Sequence, residues 1–227
     1  MIDWKRQCAA IIPCFNEAGR IAPVIEGVRR HLPGVIVVDD GSTDGTDAEA
    51  AKAGAIVLRH SINSGKGTAL REGWQWARRL GFSWVLSLDG DGQHSPHDIP
   101  QFFARAEQTS ARLVIGNRMD RVGAMPPIRR WVNKGMSRWL SSLTATRLPD
   151  SQCGFRLAHL DALLNIKLTS KRFVIESEML VSFLAAGEPV EFVPIQAIYG
   201  PGPSRISPVF DTWRWFRWWA GRWPASS

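Results

Sequence analysis

The chain has 227 residues, of which 44% are hydrophobic and 22% charged, and its formal net charge is +7. Length and composition are those of an ordinary globular protein with one α/β domain as the default, and three cysteines without a C-x-x-C pair exclude a zinc framework and a disulfide scaffold. The basic excess favours anionic partners, whether nucleotides, nucleic acid or an acidic membrane surface, although an excess of this size also serves solubility alone.

Taken in chain order, residues 9–13 read as a buried strand that stops at Pro13. Apolar positions Ile21, Val24, Ile25, Val28 and Leu32 predict a helix over 20–31. Residues 35–38 form a continuous apolar strand ending in Asp39-Asp40-Gly41-Ser42, a short helix follows over 46–52, and 55–58 is a third strand. A helix over 68–80 leads to a strand over 84–88 that ends in Asp89-Gly90-Asp91-Gly92-Gln93-His94; a helix over 99–108 and a strand over 113–116 come next. Beyond Asn117 lies a basic loop with Arg118, Arg121, Arg129 and Arg130, then a helix over 131–143. A polar turn over 148–156 enters a short strand, helices cover 158–166 and 175–186, and 190–194 and 196–199 are extended.

Near-continuously apolar strands alternating with helices predict a mostly parallel sheet covered on both faces. Ligands of such sheets bind outside the carboxyl ends of the strands. The polar residues fall at those ends: Asn16 and Glu17, then Asp39 and Asp40, then Asp89 and Asp91. On an extended backbone Asp89 and Asp91 point the same way, and two hard oxygen donors at a strand end suit Mg2+ or Mn2+ on a phosphate. A surface turn carries the same residue types, but three such sets at one edge are hard to scatter by chance. No G-x-G-x-x-G follows the first strand, so a dinucleotide site of the usual kind is excluded, and Asn63-Ser64-Gly65-Lys66-Gly67-Thr68 lacks the spacing of a P-loop.

The blocks Ile11-Ile12-Pro13-Cys14-Phe15-Asn16-Glu17, Val37-Val38-Asp39-Asp40-Gly41-Ser42, Asn63 through Leu70, Asp89 through His94, Gly116-Asn117-Arg118, Asp150 through Arg156, and Tyr199-Gly200 stand in one order over roughly residues 9–210. In this the chain resembles family 2 glycosyltransferases of the inverting, nucleotide-sugar-dependent type, and among them polyprenyl-phosphate sugar transferases such as dolichyl-phosphate mannosyltransferase. The resemblance implies a GT-A fold, a single Rossmann-like α/β domain with a mostly parallel central sheet over 1–210; beyond it the sequence itself gives a Trp/Arg-rich amphipathic tail over 211–227, read as a helix. The resemblance also implies a donor pocket in which Pro13, Phe15 and Glu17 line base and ribose, Asp39 or Asp40 accepts their hydrogen bonds, and Val38 and Gly90 complete the wall. Lys66 either faces the diphosphate, with its flanking glycines giving room, or is a solvated lysine in a flexible glycine turn. Asp91 holds Mg2+ or Mn2+, with Asp89 and Gln93 assisting, while His94 is a loop residue.

Inversion needs an acceptor oxygen on the face opposite the leaving group. For a hydroxyl acceptor the resemblance makes Asp150 the general base; for a polyprenyl phosphate, already an anion, no strong base is required. Arg118, Arg129, Arg130 and Arg205 are then the residues that position the acceptor phosphate. The chain departs from dolichyl-phosphate mannosyltransferases at Ala197, where those carry an Arg, and in the longer spacing to Arg205. Glu178 matches an acidic position of the family; a polar helix face is its alternative.

The tail from Trp213 to Trp223 interleaves Trp with Arg, the composition of a membrane-interface helix on anionic lipid. Packing on the core or on a second subunit of a homo-oligomer is the alternative, and no nucleic-acid module accompanies it. With no signal-peptide h-region and no run of about 20 apolar residues, the sequence predicts a cytoplasmic protein, peripheral at the inner membrane face, acting on a lipid-linked phosphate.

Overall fold

The computed structural model describes residues 2–120, 125 and 127–198. Arg121, Tyr199, Gly200, Arg205, the side chain of Arg129 and the whole Trp/Arg tail lie outside the described residues.

The short helix α1 (Trp4–Gln7) leads into β1 (Cys8–Cys14), seven consecutive buried residues. A strand buried along its whole length needs partners on both edges and layers on both faces. Its edges are taken by β2 (Val35–Asp39) and β4 (Trp84–Ser87), both parallel to it. The full sheet runs β3-β2-β1-β4-β6-β5-β7, with β3 (Ile56–Arg59), β5 (Leu113–Asn117), β6 (Arg156–His159) and β7 (Val190–Pro194). Only β6 is antiparallel to its neighbours. The expected mostly parallel α/β sheet is present. The predicted helix over 158–166 is corrected: its first part belongs to β6, and α7 (Leu160–Asn165) begins only after it. Four residues of strand are too few for alternation to separate them from the adjoining apolar helix.

Helices α2 (Ile21–Arg29), α3 (Thr46–Lys52), α4 (Lys66–Arg79), α5 (Ile99–Thr109), α6 (Pro127–Thr144) and α8 (Ile175–Ala185) complete the fold. The helix α2 buries Ile21, Val24, Ile25 and Val28, the face its spacing predicted. All three cysteines are buried and free, and burial pushes the Cys153 thiol up to about 12.

Two local features set the site. Pro13 lies inside β1, opposite Val38 of β2. On the β4 side the ladder ends with the Leu88 N–H donating to the Ile11 carbonyl (3.2 Å), because Pro13 has no N–H to continue it. Asp89 and the residues after it are thereby released from the sheet edge. The second feature is the seating of α4 on β1. A Cβ at Gly73 would stand 2.5 Å from Ile11 Cγ2, and the Trp74 indole N–H donates to Ser87 Oγ at 3.1 Å.

Gly73→Ala tests that seating. Helix propensity favours Ala by about 1 kcal/mol, but overpacking a buried helix–sheet contact costs about 1–3 kcal/mol. The expected result is a lower urea midpoint with an unchanged denaturant slope.

Candidate functional site

The strand ends open into a cavity of about 380 Å³. Pro13, Phe15 and Glu17 line it after β1, Asp40 after β2, Lys66 at the start of α4, and Asp89, Gly90, Asp91 and Gln93 after β4. Four carboxylates read from three separate strand ends therefore share one wall.

Asp39 and Val38 do not join them. Both are buried in β2: Asp39 points to the face opposite its neighbour Asp40, and Val38 is covered by α4, with a Cβ at Gly73 falling 3.2 Å from its Cγ2. Asp39 accepts hydrogen bonds from the Ser42 N–H (3.0 Å) and the Ser42 hydroxyl, and its other oxygen lies 3.7 Å from Arg59 Nε. It shapes the turn behind the pocket. Asp40 has both oxygens engaged: Oδ1 accepts from the Ser64 N–H (2.7 Å) and meets His60 Nδ1 (2.8 Å), and Oδ2 accepts from the Gly65 N–H (2.7 Å). His60 in turn reaches Glu72 through Nε2 at 2.6 Å. Burial lowers the pKa of His60, but its bonds to Asp40 and Glu72 outweigh this and hold it above the ordinary histidine value.

Lys66 is the centre of the pocket floor. Its ammonium pairs with Asp89 and, at 2.7 Å, with Oε1 of Glu176 from α8; it also lies 5.5 Å from the Phe173 ring centroid. Burial disfavours the charge, yet the two carboxylates raise the Lys66 pKa above its usual value. The same pairing, opposed by burial and helped by His94 and Arg118, brings Asp89 down to about 2. Gly154 makes the pairing sterically feasible: a Cβ there would stand 2.9 Å from Lys66 Nζ and 3.0 Å from Asp89 Oδ2.

The glycines beside Lys66 are also required by packing against a neighbouring backbone. A Cβ at Gly65 would stand 2.3 Å from the Lys171 carbonyl, and one at Gly67 2.2 Å from the Ser170 carbonyl. The Gly67 N–H donates to the Lys171 carbonyl at 2.9 Å. The 65–67 backbone is pressed against the 170–171 segment, and Glu178 fixes that segment by accepting from the Thr169 N–H (3.1 Å), the Thr169 hydroxyl (3.0 Å) and the Ser170 N–H (2.8 Å). Glu178 is thus a buried fastener, not an exposed polar face.

The sequence reading missed Glu176, Arg20, Asn63, Arg172 and Phe173, of which all but Glu176 line the cavity. Glu176 had one available signal: a carboxylate in a helix that is otherwise buried over its first nine residues. Such a charge requires a partner. His94 is buried and stacked on Phe155, with ring centroids 5.3 Å apart. Burial lowers its pKa, and Nδ1 accepts from the Asp89 N–H at 3.3 Å. It supports the loop that follows β4.

Asp150 is fully buried and bound bidentately by Arg118, with Nε to Oδ2 at 2.7 Å and Nη2 to Oδ1 at 2.8 Å. The backbone N–H groups of Arg118 (3.1 Å) and Gln152 (3.2 Å) donate to the same carboxylate. Burial opposes ionisation, but Arg118 outweighs it and the Asp150 pKa is lowered. A carboxylate so held is a poor proton acceptor and a strong anchor for a guanidinium. Beside it, a second cavity of about 700 Å³ is lined by Arg130, Lys134, Arg138 and Arg147 with Asp120 as its one acid.

Residues 9–163 match the profile of glycosyl transferase family 2. The chain is 29% identical over 211 residues to an undecaprenyl-phosphate mannosyltransferase of Micrococcus luteus, covering 87% of this chain and 86% of that one. It is 30% identical over 212 residues to a UDP-N-acetylglucosamine–dolichyl-phosphate N-acetylglucosaminyltransferase of Methanococcus voltae, covering 83% and 84%. Among solved structures it resembles glucosyl-3-phosphoglycerate synthase of Mycobacterium tuberculosis in complex with Mn2+, UDP-glucose and phosphoglyceric acid: TM-score 0.72 at 19% identity, covering 96% and 79%. That likeness establishes the shared fold.

The His60 clamp gives a pH prediction. Its folded pKa is raised, so its contribution to stability is complete below the ordinary histidine value and is lost as pH rises through the folded one. The melting temperature of wild type should exceed that of His60→Gln most at about pH 6, and the gap should shrink by about pH 8.5.

Proposed function

The chain belongs to glycosyl transferase family 2 and is a nucleotide-sugar-dependent glycosyltransferase, and we propose that it moves a sugar, with inversion, from a nucleoside-diphosphate donor to a polyprenyl phosphate. The observation that carries this reading is the wall of Glu17, Asp40, Asp89 and Asp91 around Lys66 at the carboxyl edge of a parallel sheet. Carboxylates there accept from ribose hydroxyls and base N–H groups, and Lys66 offers one cation to a diphosphate. The acceptor class is supported by relatives named for undecaprenyl- and dolichyl-phosphate.

The donor set fits a divalent metal. Asp89 and Asp91 contribute two carboxylates and Gln93 an amide oxygen to the same cavity, and Mg2+ takes one or two carboxylates with phosphate oxygens and water. Asp91 is the leading ligand, with Asp89 and Gln93 beside it. When bound, Mg2+ or Mn2+ supplies neutralisation of charge on the departing nucleoside diphosphate.

Asp150 has a role that differs from the base expected for a hydroxyl acceptor. Its hold on Arg118 favours an acceptor that arrives as an anion: Asp150 positions Arg118, and Arg118 with Arg129, Arg130 and Arg205 steers the acceptor phosphate to the anomeric carbon. The catalytic domain spans 1–210. The tail over 211–227 keeps the enzyme peripheral at the cytoplasmic membrane face, a reading supported by the lipid-linked acceptors for which the relatives are named.

Three experiments test this. Thermal shifts against a panel of nucleotide sugars, with and without metal, should single out one donor. Asp91→Ala should abolish metal-dependent donor turnover, a loss of about 10²–10³ in kcat. Asp150→Asn should slow transfer to a polyprenyl phosphate by about tenfold, whereas loss of a true general base costs about 10²–10⁴; the larger loss would assign a hydroxyl acceptor instead.

A further inference from the structure

The helix α6 is built the wrong way round for a surface helix. Its inward face is Asn133, Ser137 and Leu140, all buried. Ser137 Oγ accepts from the Ser151 N–H at 2.9 Å, tying α6 to the turn that carries Asp150. The opposite face should be polar in a helix that meets only water. It instead presents Ile128, Trp131, Trp139 and Leu143, exposed by 66%, 74%, 40% and 38%. At 100° per residue these four fall on one stripe, with Gly135 and Ser142 between them. Arg130, Lys134 and Arg138 run along its flank at i, i+4 and i+8, and the 18 residues of α6 include no acid.

An apolar stripe with two tryptophans, edged by cations only, has the composition of a helix lying in a lipid interface. We propose that the outer face of α6 docks on an anionic phospholipid surface, independently of the Trp/Arg tail. Charge selects this occupant. A second copy of the chain on a two-fold axis would set the same cations against each other with no acid on α6 to answer them. The chain's own tail would bring Arg214, Arg217 and Arg222 to the same flank. Anionic headgroups complement the cationic edge, while Trp131 and Trp139 suit the depth at which amphipathic rings sit. Arg130, Lys134 and Arg138 also line the larger cavity, so docking on this face turns that cavity's basic wall toward the headgroups.

The test is flotation of the full chain with vesicles of neutral phosphatidylcholine alone or mixed with phosphatidylglycerol. Wild type should float with the mixed vesicles only. Trp131→Ala/Trp139→Ala should lower the partition coefficient by at least about tenfold, and Lys134→Gln/Arg138→Gln by roughly thirtyfold, from about fivefold per cation near an anionic surface. Both pairs are exposed, so unchanged melting temperatures should accompany the losses. A polarity-sensitive dye on Leu143→Cys should shift to the blue with mixed vesicles, the native cysteines being buried. Flotation of both double variants equal to wild type would overturn the proposal in favour of the tail. Dimerisation of wild type by sedimentation equilibrium, abolished in Trp131→Ala/Trp139→Ala, would overturn it in favour of a second copy. Neither readout depends on the sugar acceptor, so failure here leaves the assignment of the reaction untouched.

Discussion

The ammonium of Lys66, shared between Asp89 and Glu176, draws the end of β4, the start of α4 and the start of α8 onto one point. The largely buried Lys66 and the buried Glu176 are tolerated only when paired, and Asp89 meets the same ammonium from the cavity side, so the surrounding chain is shaped to permit the pairing. Gly154 leaves the space it occupies. Gly65 and Gly67 let the α4 start close on the 170–171 backbone, and Glu178 holds that backbone still. Lys66 offsets one carboxylate of the pair, and with Asp91 the wall keeps an anionic excess. That is the electrostatic condition for a divalent cation at a strand end.

The second buried pair, Arg118 with Asp150, works toward the other side of the molecule. Arg118 follows β5 directly, and the turn holding Asp150 is fastened to α6 through Ser137 and Ser151. Arg156 completes the fastening by donating to the carbonyls of Cys153 (2.7 Å), Ser151 (3.0 Å) and Glu176 (2.5 Å). One guanidinium therefore ties the α6 side to the residue that anchors Lys66. The Lys66 and Arg118 ion pairs are thereby joined through a continuous polar framework.

Much of this was legible in the residues. The alternation of apolar strands with helices fixed the parallel sheet, and the strand-end carboxylates fixed the edge where the cavity would lie. Glu17, Asp40, Asp89 and Asp91 all arrive there. Asp39 did not, because adjacency in sequence means opposite faces on a strand, and nothing in an Asp-Asp pair says which member faces inward. Glu176 was hidden for a related reason. Its neighbour Glu178 matched an acidic position of the family, and on a helix residues two apart point well away from each other. The β6 strand was lost to the helix that follows it, since pairing with β4 and β5 is non-local and leaves no periodic mark in four residues.

The sequence by itself determined the layer order, the edge that carries the site and the chemical types gathered there, because periodicity and strand ends are local properties of the chain. Which carboxylate turns inward, that Lys66 is held by Glu176, that its glycines press against the 170–171 backbone, and that Asp150 is bound by Arg118 were decided only by the tertiary structure. Each of those depends on a contact between segments far apart in the chain, where close packing and the cost of an unpaired buried charge leave few arrangements open.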